Sequence, residues 1–247
     1  MSRPRFAGSP TVILVTDDTT KQTSTEHWEE QYAGEMPRWS GKVNPTLVDA
    51  LGGLDLTPGT ALDLGCGEGG DAIWLASQGW QVTGVDISPT AVARAKTRAS
   101  SEGLTERVSW IVADLSEWAP AKSQELVCAS FLHSRVDGFP RIEILRRSAG
   151  WVSPGGHLVI VSHLFQTVED IPPWVRRHHA QESGTDARTL NHLQQMPTPA
   201  QEIEQLGFDP KSWMVLAAES KVRDAVGPDG LERARLSDGL IVMRRMR

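Results

Sequence analysis

A glycine-rich turn, three acidic residues and two histidines are the groups in this sequence whose types and spacing can do chemistry. Asp63-Leu64-Gly65-Cys66-Gly67-Glu68-Gly69-Gly70 follows a short apolar run and precedes a helical stretch. Glycines at such a junction let the backbone turn tightly and come close to a ligand. Asp86 ends a second apolar run 21 residues after Gly65, where a carboxylate can accept two hydrogen bonds from ribose hydroxyls. Asp114 closes a third run. His133 and His163 follow the fourth and fifth, and a neutral imidazole near pH 7 can take a proton from an acceptor atom.

Taken alone, the turn is ambiguous. Gly65, Gly67 and Gly70 satisfy the G-x-G-x-x-G of dinucleotide sites, while Gly65, Gly67 and Gly69 satisfy G-x-G-x-G. Cys66 lies inside the turn, where its backbone and not its thiol is the expected contact. Cys128 sits within the fourth apolar run and reads as a buried thiol. The two cysteines make neither a disulfide framework nor a zinc spacing, and no carboxylate joins the histidines at ligand spacing, so no metal is expected.

These residues need elements to carry them. Strand patterns fall at Thr60–Leu64, Gln81–Val85, Val108–Val112, Glu125–Ser130 and His157–Ser162, with helical stretches near 69–78, 88–102 and 140–150 between them. Asn44-Pro45 opens an earlier helix that Gly52-Gly53 closes, and Ser88-Pro89 opens the helix after the second strand. Strands alternating with helices predict βαβ units and a parallel sheet, whose ligand edge is the C-terminal one. Two later strand patterns, Trp213–Glu219 and Gly239–Met243, flank a turn at Gly227–Gly230. Residues 1–25 read as a flexible lead and 26–247 as one domain. Within it, 26–55 forms an N-terminal helical lid, and the Pro- and His-rich stretch 163–198 forms a cap that includes His178 and His179.

With 25 Lys+Arg against 31 Asp+Glu in 247 residues, the net charge is −6, and no long basic run offers a face for a nucleic-acid backbone. The run Val12–Val15 is too short for a signal-peptide core of roughly 7–15 residues, and nothing approaches the roughly 18 apolar residues of a membrane span. A cytoplasmic protein with no membrane and no nucleic-acid partner is therefore expected.

An acid in the first strand, acids ending the second and third, the glycine turn, and Pro154-Gly155-Gly156 before the fifth strand together resemble the class I S-adenosylmethionine-dependent methyltransferases. The resemblance implies a Rossmann-like α/β fold: a doubly wound, seven-stranded, mostly parallel sheet of order 3-2-1-4-5-7-6, strand 7 antiparallel, with helices on both faces. It also implies S-adenosyl-L-methionine as cofactor. Asp63 with Gly65, Cys66, Gly67 and Gly69 would face its methionine part, Asp86 with Ile87 its ribose, and Asp114 with Leu115 its adenine, with Ser130 bordering the site.

Trp28-Glu29-Glu30-Gln31-Tyr32 and Trp39-Ser40-Gly41 are similar to the lid of small-molecule methyltransferases of the thiopurine and tellurite-resistance type. That likeness places Trp39, and Trp174 in the cap, beside a small-molecule acceptor. His133 and His163 are the candidate bases. After the fourth strand the chain reads Ser130-Phe131-Leu132-His133-Ser134, which lacks the Asn/Asp-Pro-Pro-aromatic motif of base and glutamine N-methylation. A methyl acceptor atom O, S or N of a small molecule is expected, and the oligomeric state is not legible. The competing reading, an NAD(P)-dependent oxidoreductase of the short-chain type, lacks its Tyr-x-x-x-Lys pair: the one tyrosine, Tyr32, is followed four residues later by Met36. A non-catalytic S-adenosylmethionine-binding partner subunit is the third reading.

Overall fold

The structure is a computed structural model that describes residues 22–134, 136, 138–177, 196–227 and 230–246. Seven strands form one sheet: β1 Thr60–Leu64, β2 Gln81–Asp86, β3 Val108–Val112, β4 Gln124–Ser130, β5 Val152–His163, β6 Trp213–Val226 and β7 Arg233–Arg245. Their order is β3-β2-β1-β4-β5-β7-β6, parallel from β1 to β5, with β7 antiparallel to both β5 and β6. The doubly wound sheet implied by the motifs is thus present.

Parallel strands covered on both faces need apolar residues at consecutive positions, and β1 and β4 supply them: Ala61, Leu62, Leu64 and Leu126, Val127, Cys128, Ala129 are all buried. Alternate side chains feed two cores. On one face, Leu62, Leu64, Val127 and Leu158 pack with Ile144 and Leu145 of α5 (Arg141–Ala149) and Leu206 of α6 (Pro199–Leu206). On the other, Ala61, Leu126 and Val159 pack with Leu47 of α2 (Pro45–Gly52) and Ala72, Leu75 and Ala76 of α3 (Gly70–Ser77). α4 (Pro89–Ser101) buries Ala91, Val92, Ala95 and Ala99, three to four residues apart along one stripe.

Caps explain where helices begin. Asn44 and Ser88 each accept from a backbone amide of the helix they open. A capping box between Thr23 and Glu26 starts α1 (Ser24–Tyr32), so the helical segment begins two residues earlier than the pattern from Glu26 suggests. β6 and β7 run for 14 and 13 residues, well past the expected bounds. Their antiparallel pairing from Trp213↔Arg245 to Val226↔Arg233, with one register shift between Val215 and Ala217, carries the polar stretch Glu219–Asp224, which shows no apolar run. Pro154-Gly155-Gly156 lies within β5 and not before it, at the register irregularity opposite Gln124 and Leu126.

After β5 comes a segment that buries Leu164, Phe165 and Ile171 and leaves Gln166, Thr167 and Glu169 exposed, then a helical turn at 173–177. Residues 1–21, which hold most of the expected lead, and 178–195, which hold His178 and His179 of the expected cap, lie outside the described residues. Among the described residues, no helix is long and apolar enough to cross a membrane.

Candidate active site

The glycine turn is strapped to β2. Gly65 and Cys66 both donate to the Val85 carbonyl, at 2.9 and 3.0 Å, and Gly67 donates to Asp86 Oδ2 at 2.8 Å. The other Asp86 oxygen takes the Ser88 amide at 2.9 Å. Asp86 therefore shapes the turn, and its carboxylate is 7% exposed at the C-terminal edge of the sheet. The turn requires glycine at Gly65, Gly67 and Gly69, whose φ angles are +69°, +50° and +81°. Their faces differ, however. A Cβ on Gly65 would lie 2.8 Å from Leu132, and one on Gly69 would lie 2.6 Å from Trp110, so those two make room for packing. A Cβ on Gly67 would lie 3.0 Å from Tyr32 Oη, so Gly67 faces the lid.

The N-terminal segment lies over this turn, and acidic residues hold it there. Glu68, 6% exposed, accepts the amides of Arg38 and Trp39 at 3.1 and 3.0 Å and pairs with Arg94 of α4 at 2.9 Å. The Arg94 guanidinium also donates to the carbonyls of Gly34 and Met36. Glu29 of α1 takes the hydroxyls of Ser88 and Thr90 and the Thr90 amide. Asp71 accepts the Asn44 amide at 2.8 Å. Trp39 Nε1 donates to the buried Tyr32 hydroxyl at 3.0 Å, which leaves the indole half exposed, with the Arg38 guanidinium 5.1 Å from its ring centre.

The carboxylates beneath the lid repel ionisation. Burial, then the neighbouring Asp71, pushes Asp63 well above the usual carboxylate range, with the Ala72 amide drawing it back. Burial raises Asp71 and Asp86 as well, against the Ser130 hydroxyl and the Asn44 amide in one case and the Ser88 and Gly67 amides in the other. Burial also pushes the Cys66 thiol well above its ordinary value and the Tyr32 phenol up, in both cases with the Asp86 charge adding to it. Asp63 Oδ2 is buried with no hydrogen-bond partner. A cationic ligand carrying N–H donors would satisfy that oxygen and favour the ionised acids.

The ends of β4 and β5 form the other wall. Phe131, directly after β4, has φ +54°, a conformation that costs a non-glycine residue on the order of 1–3 kcal/mol and needs its surroundings to hold it. Here its amide donates to Val161 O at 2.7 Å and its ring stacks on His163 at 4.1 Å. Phe165 stacks on His163 at 5.3 Å, and His133 meets His163 edge-on at 5.3 Å. His133 Nδ1 is hydrogen-bonded to the Phe131 carbonyl. Burial, then His133 and Arg223, holds His163 well below the usual imidazole range, so it is neutral. Arg223 donates to Asp238 Oδ2 at 2.6 Å and lies 5.6 Å from the Phe131 ring centre. His163 Nδ1 and Asp238 Oδ1 are buried without partners.

The remaining expected residues are spread more widely. Ile87 is half-buried beside Asp86. Asp114 is exposed and accepts the Ser116 amide at 2.8 Å, whereas the Leu115 side chain packs into the core with Leu64 and Val85. Trp174 is half-buried in the 173–177 turn. Glu29, Glu68, Asp71 and Arg94 escape motif reading because each finds its partner 26 to 61 residues away. The acid inside the glycine turn was the one local signal for Glu68.

Residues 61–156 match the family model described as "Methyltransferase domain". The chain is 29% identical over 154 residues to "Probable thiol methyltransferase 2" of Arabidopsis thaliana, covering 62% of this chain and 68% of that protein. It is 32% identical over 120 residues to "Ribosomal RNA small subunit methyltransferase C" of Alcanivorax borkumensis, covering 47% of this chain but only 36% of that protein. Among solved structures, "Conversion of a Disulfide Bond into a Thioacetal Group during Echinomycin Biosynthesis" superposes with a TM-score of 0.65 at 24% identity, covering 90% of this chain and 91% of that one. That last likeness concerns the fold.

Proposed function

We propose that this chain, which carries a class I S-adenosylmethionine-dependent methyltransferase domain, moves the cofactor's methyl group to an O, S or N atom of a small molecule. The observation that carries this reading is the lid: Glu68, Arg94 and Asp71 fasten residues 34–44 over the glycine turn, which favours an acceptor small enough to sit beneath it. The net charge of −6 also disfavours a polyanionic acceptor. The name of the Arabidopsis relative points to a thiol acceptor.

S-adenosylmethionine supplies an electrophilic methyl carbon on a positively charged sulfur. In this reading Asp86, beside Ile87, accepts the ribose hydroxyls on the carboxylate faces not used by Gly67 and Ser88. Asp63, with the backbone of Gly65, Cys66, Gly67 and Gly69, holds the methionine end, and its unpaired oxygen takes an N–H donor. Asp114 and the Leu115 backbone border the adenine, and Ser130 stands between the cofactor and the acceptor. Trp39 and Trp174 flank the entrance.

Methyl transfer is an in-line displacement, so holding the nucleophile against the methyl carbon can contribute about 7–11 kcal/mol. Phe131 and Phe165, stacked on His163, fix that imidazole at the end of β5. His133 and His163 are the candidate bases, and a base adds typically about 10²–10⁴-fold for a hydroxyl acceptor. A thiol, with a pKa near about 8.5, needs little such help.

The test is to incubate the protein with S-adenosylmethionine and, separately, hydrosulfide, an aryl thiol, an aryl hydroxyl and an amine, and to identify methylated products by mass spectrometry. Turnover of at least one supports the reading. Tight cofactor binding with no product from any acceptor, small or polymeric, would replace it with a non-catalytic role.

A further inference from the structure

One guanidinium, on a side chain 12% exposed, ties together the two strand ends that carry the histidines. Arg141, at the start of α5, donates through Nε to the Leu132 carbonyl at 2.7 Å and through Nη2 to Ser162 Oγ at 2.8 Å. Its Nη1 pairs with Glu202 of α6. Leu132 directly precedes His133, and Ser162 directly precedes His163. Glu202 is 2% exposed and Ser162 3% exposed, and a second Glu202 oxygen lies 3.4 Å from Ser162 Oγ. α6 is seated beside them, because a Cβ on Gly239 of β7 would lie 3.3 Å from Pro199 Cγ in its first turn.

The arrangement suits arginine alone. A planar fork can reach three acceptors on three elements at fixed angles, whereas an ammonium on a flexible stem is a point charge without that geometry. The loop it holds is the strained one, in which Phe131 is left-handed and needs support from its neighbours. A helix pair that only needed gluing already has such a contact: Arg146, one turn further along α5, donates to the Gln205 and Leu206 carbonyls of α6 at 2.9 and 3.3 Å and touches neither strand end.

We propose that Arg141, held by Glu202, is the positioning residue for the acceptor side of the reaction, setting the spacing between the Leu132–His133 loop and the Ser162–His163 strand end. The inference rests on the reading that these two ends border the transferred methyl group. Arg141 touches neither substrate nor cofactor. It acts through the backbone before His133 and the side chain before His163.

The experiment compares Arg141→Lys and Glu202→Gln with Arg146→Lys, which loosens the same helix pair without reaching the strand ends. Since a buried pair that loses one partner is strongly destabilised, the double variant Arg141→Met with Glu202→Leu, which removes both charges, provides a folded alternative. Three readouts are taken: S-adenosylhomocysteine affinity by calorimetry, kcat and KM for hydrosulfide and an aryl thiol, and the NMR ring signals of His133 and His163 with S-adenosylhomocysteine bound.

We expect affinity within a few fold of wild type throughout. Arg141→Lys and the double variant should lower kcat by about 10- to 100-fold, the scale of a misplacement on the order of 1 Å, and move both ring signals. Arg146→Lys should leave rate and signals unchanged even where it lowers the thermal midpoint. Unmoved ring signals, or a rate loss no greater than that of Arg146→Lys at equal stability, would overturn the inference. The ring signals decide it even if the wild type methylates none of these acceptors, an outcome that would count against the proposed function and not against this positioning role.

Discussion

Replacing Glu68 with glutamine separates a lid held by the glycine turn from one that merely rests on it. Three donors converge on this carboxylate: the amides of Arg38 and Trp39 and one arm of Arg94. Glutamine keeps the shape and one acceptor oxygen, but its NH2 group faces donors, so at least one of the three loses its partner and the others lose a charged acceptor. A hydrogen bond to a charged group contributes a net of about 1.5–3 kcal/mol. The opened lid can hydrate its amides, so the cost should stay near one such bond. If the closed lid is the form that binds cofactor, that corresponds to roughly 10- to 150-fold weaker S-adenosylmethionine binding. Calorimetry measures the affinity, and hydrogen exchange at the Arg38 and Trp39 amides reads the latch directly. Affinity within threefold of wild type together with unchanged exchange would refute the reasoning.

Asp86→Ala should weaken cofactor binding and also lower the stability of the cofactor-free protein by about 1–3 kcal/mol, because it strips an acceptor from the Gly67 and Ser88 amides; an unchanged thermal midpoint would contradict this. Gly69→Ala should destabilise by about 1–3 kcal/mol, since its Cβ would lie 2.6 Å from the Trp110 ring and 2.9 Å from Ala95, and should also weaken cofactor binding, because the turn needs a positive φ there. Chemical denaturation paired with calorimetry checks both halves. Asp63, Asp71 and Asp86 are raised above their ordinary values by burial, so their contribution to cofactor-free stability is complete below about pH 4 and lost as pH rises through the raised values. A cationic cofactor favours the ionised acids, so binding should release protons and tighten as pH rises towards the raised values. Calorimetry in two buffers of different ionisation enthalpy counts those protons, and net uptake would contradict the assignment.

Local spacing carried much of the architecture. β1 and β3 fall where their apolar runs place them, and α2 and α4 start at the caps read from Asn44 and Ser88. The order of the sheet came from the resemblance, since no periodicity distinguishes order 3-2-1-4-5-7-6 from other windings. The full reach of β6 and β7 was hidden because the ladder from Glu219 onward is held by backbone pairing between strands that mix polar and apolar residues without an apolar run. Pro154-Gly155-Gly156 reads as a strand boundary, yet Gly155, at φ +82°, bends the strand without ending it. Which glycines of the turn serve packing was not legible, because that depends on Leu132 and Trp110, far away in sequence. Arg141 gave no signal at all, since its partners Ser162 and Glu202 lie 21 and 61 residues on.

The central claim is that the chain methylates small molecules, and the most direct measurement follows a labelled methyl group. The protein is incubated with methyl-tritiated S-adenosylmethionine, a pool of thiols and aryl hydroxyls, ribosomal RNA and total protein, and the label is then partitioned by molecular size. Label in the small-molecule fraction, lost when Asp86, the proposed acceptor of the ribose hydroxyls, is replaced, is the predicted result. Label confined to RNA or protein would contradict the claim.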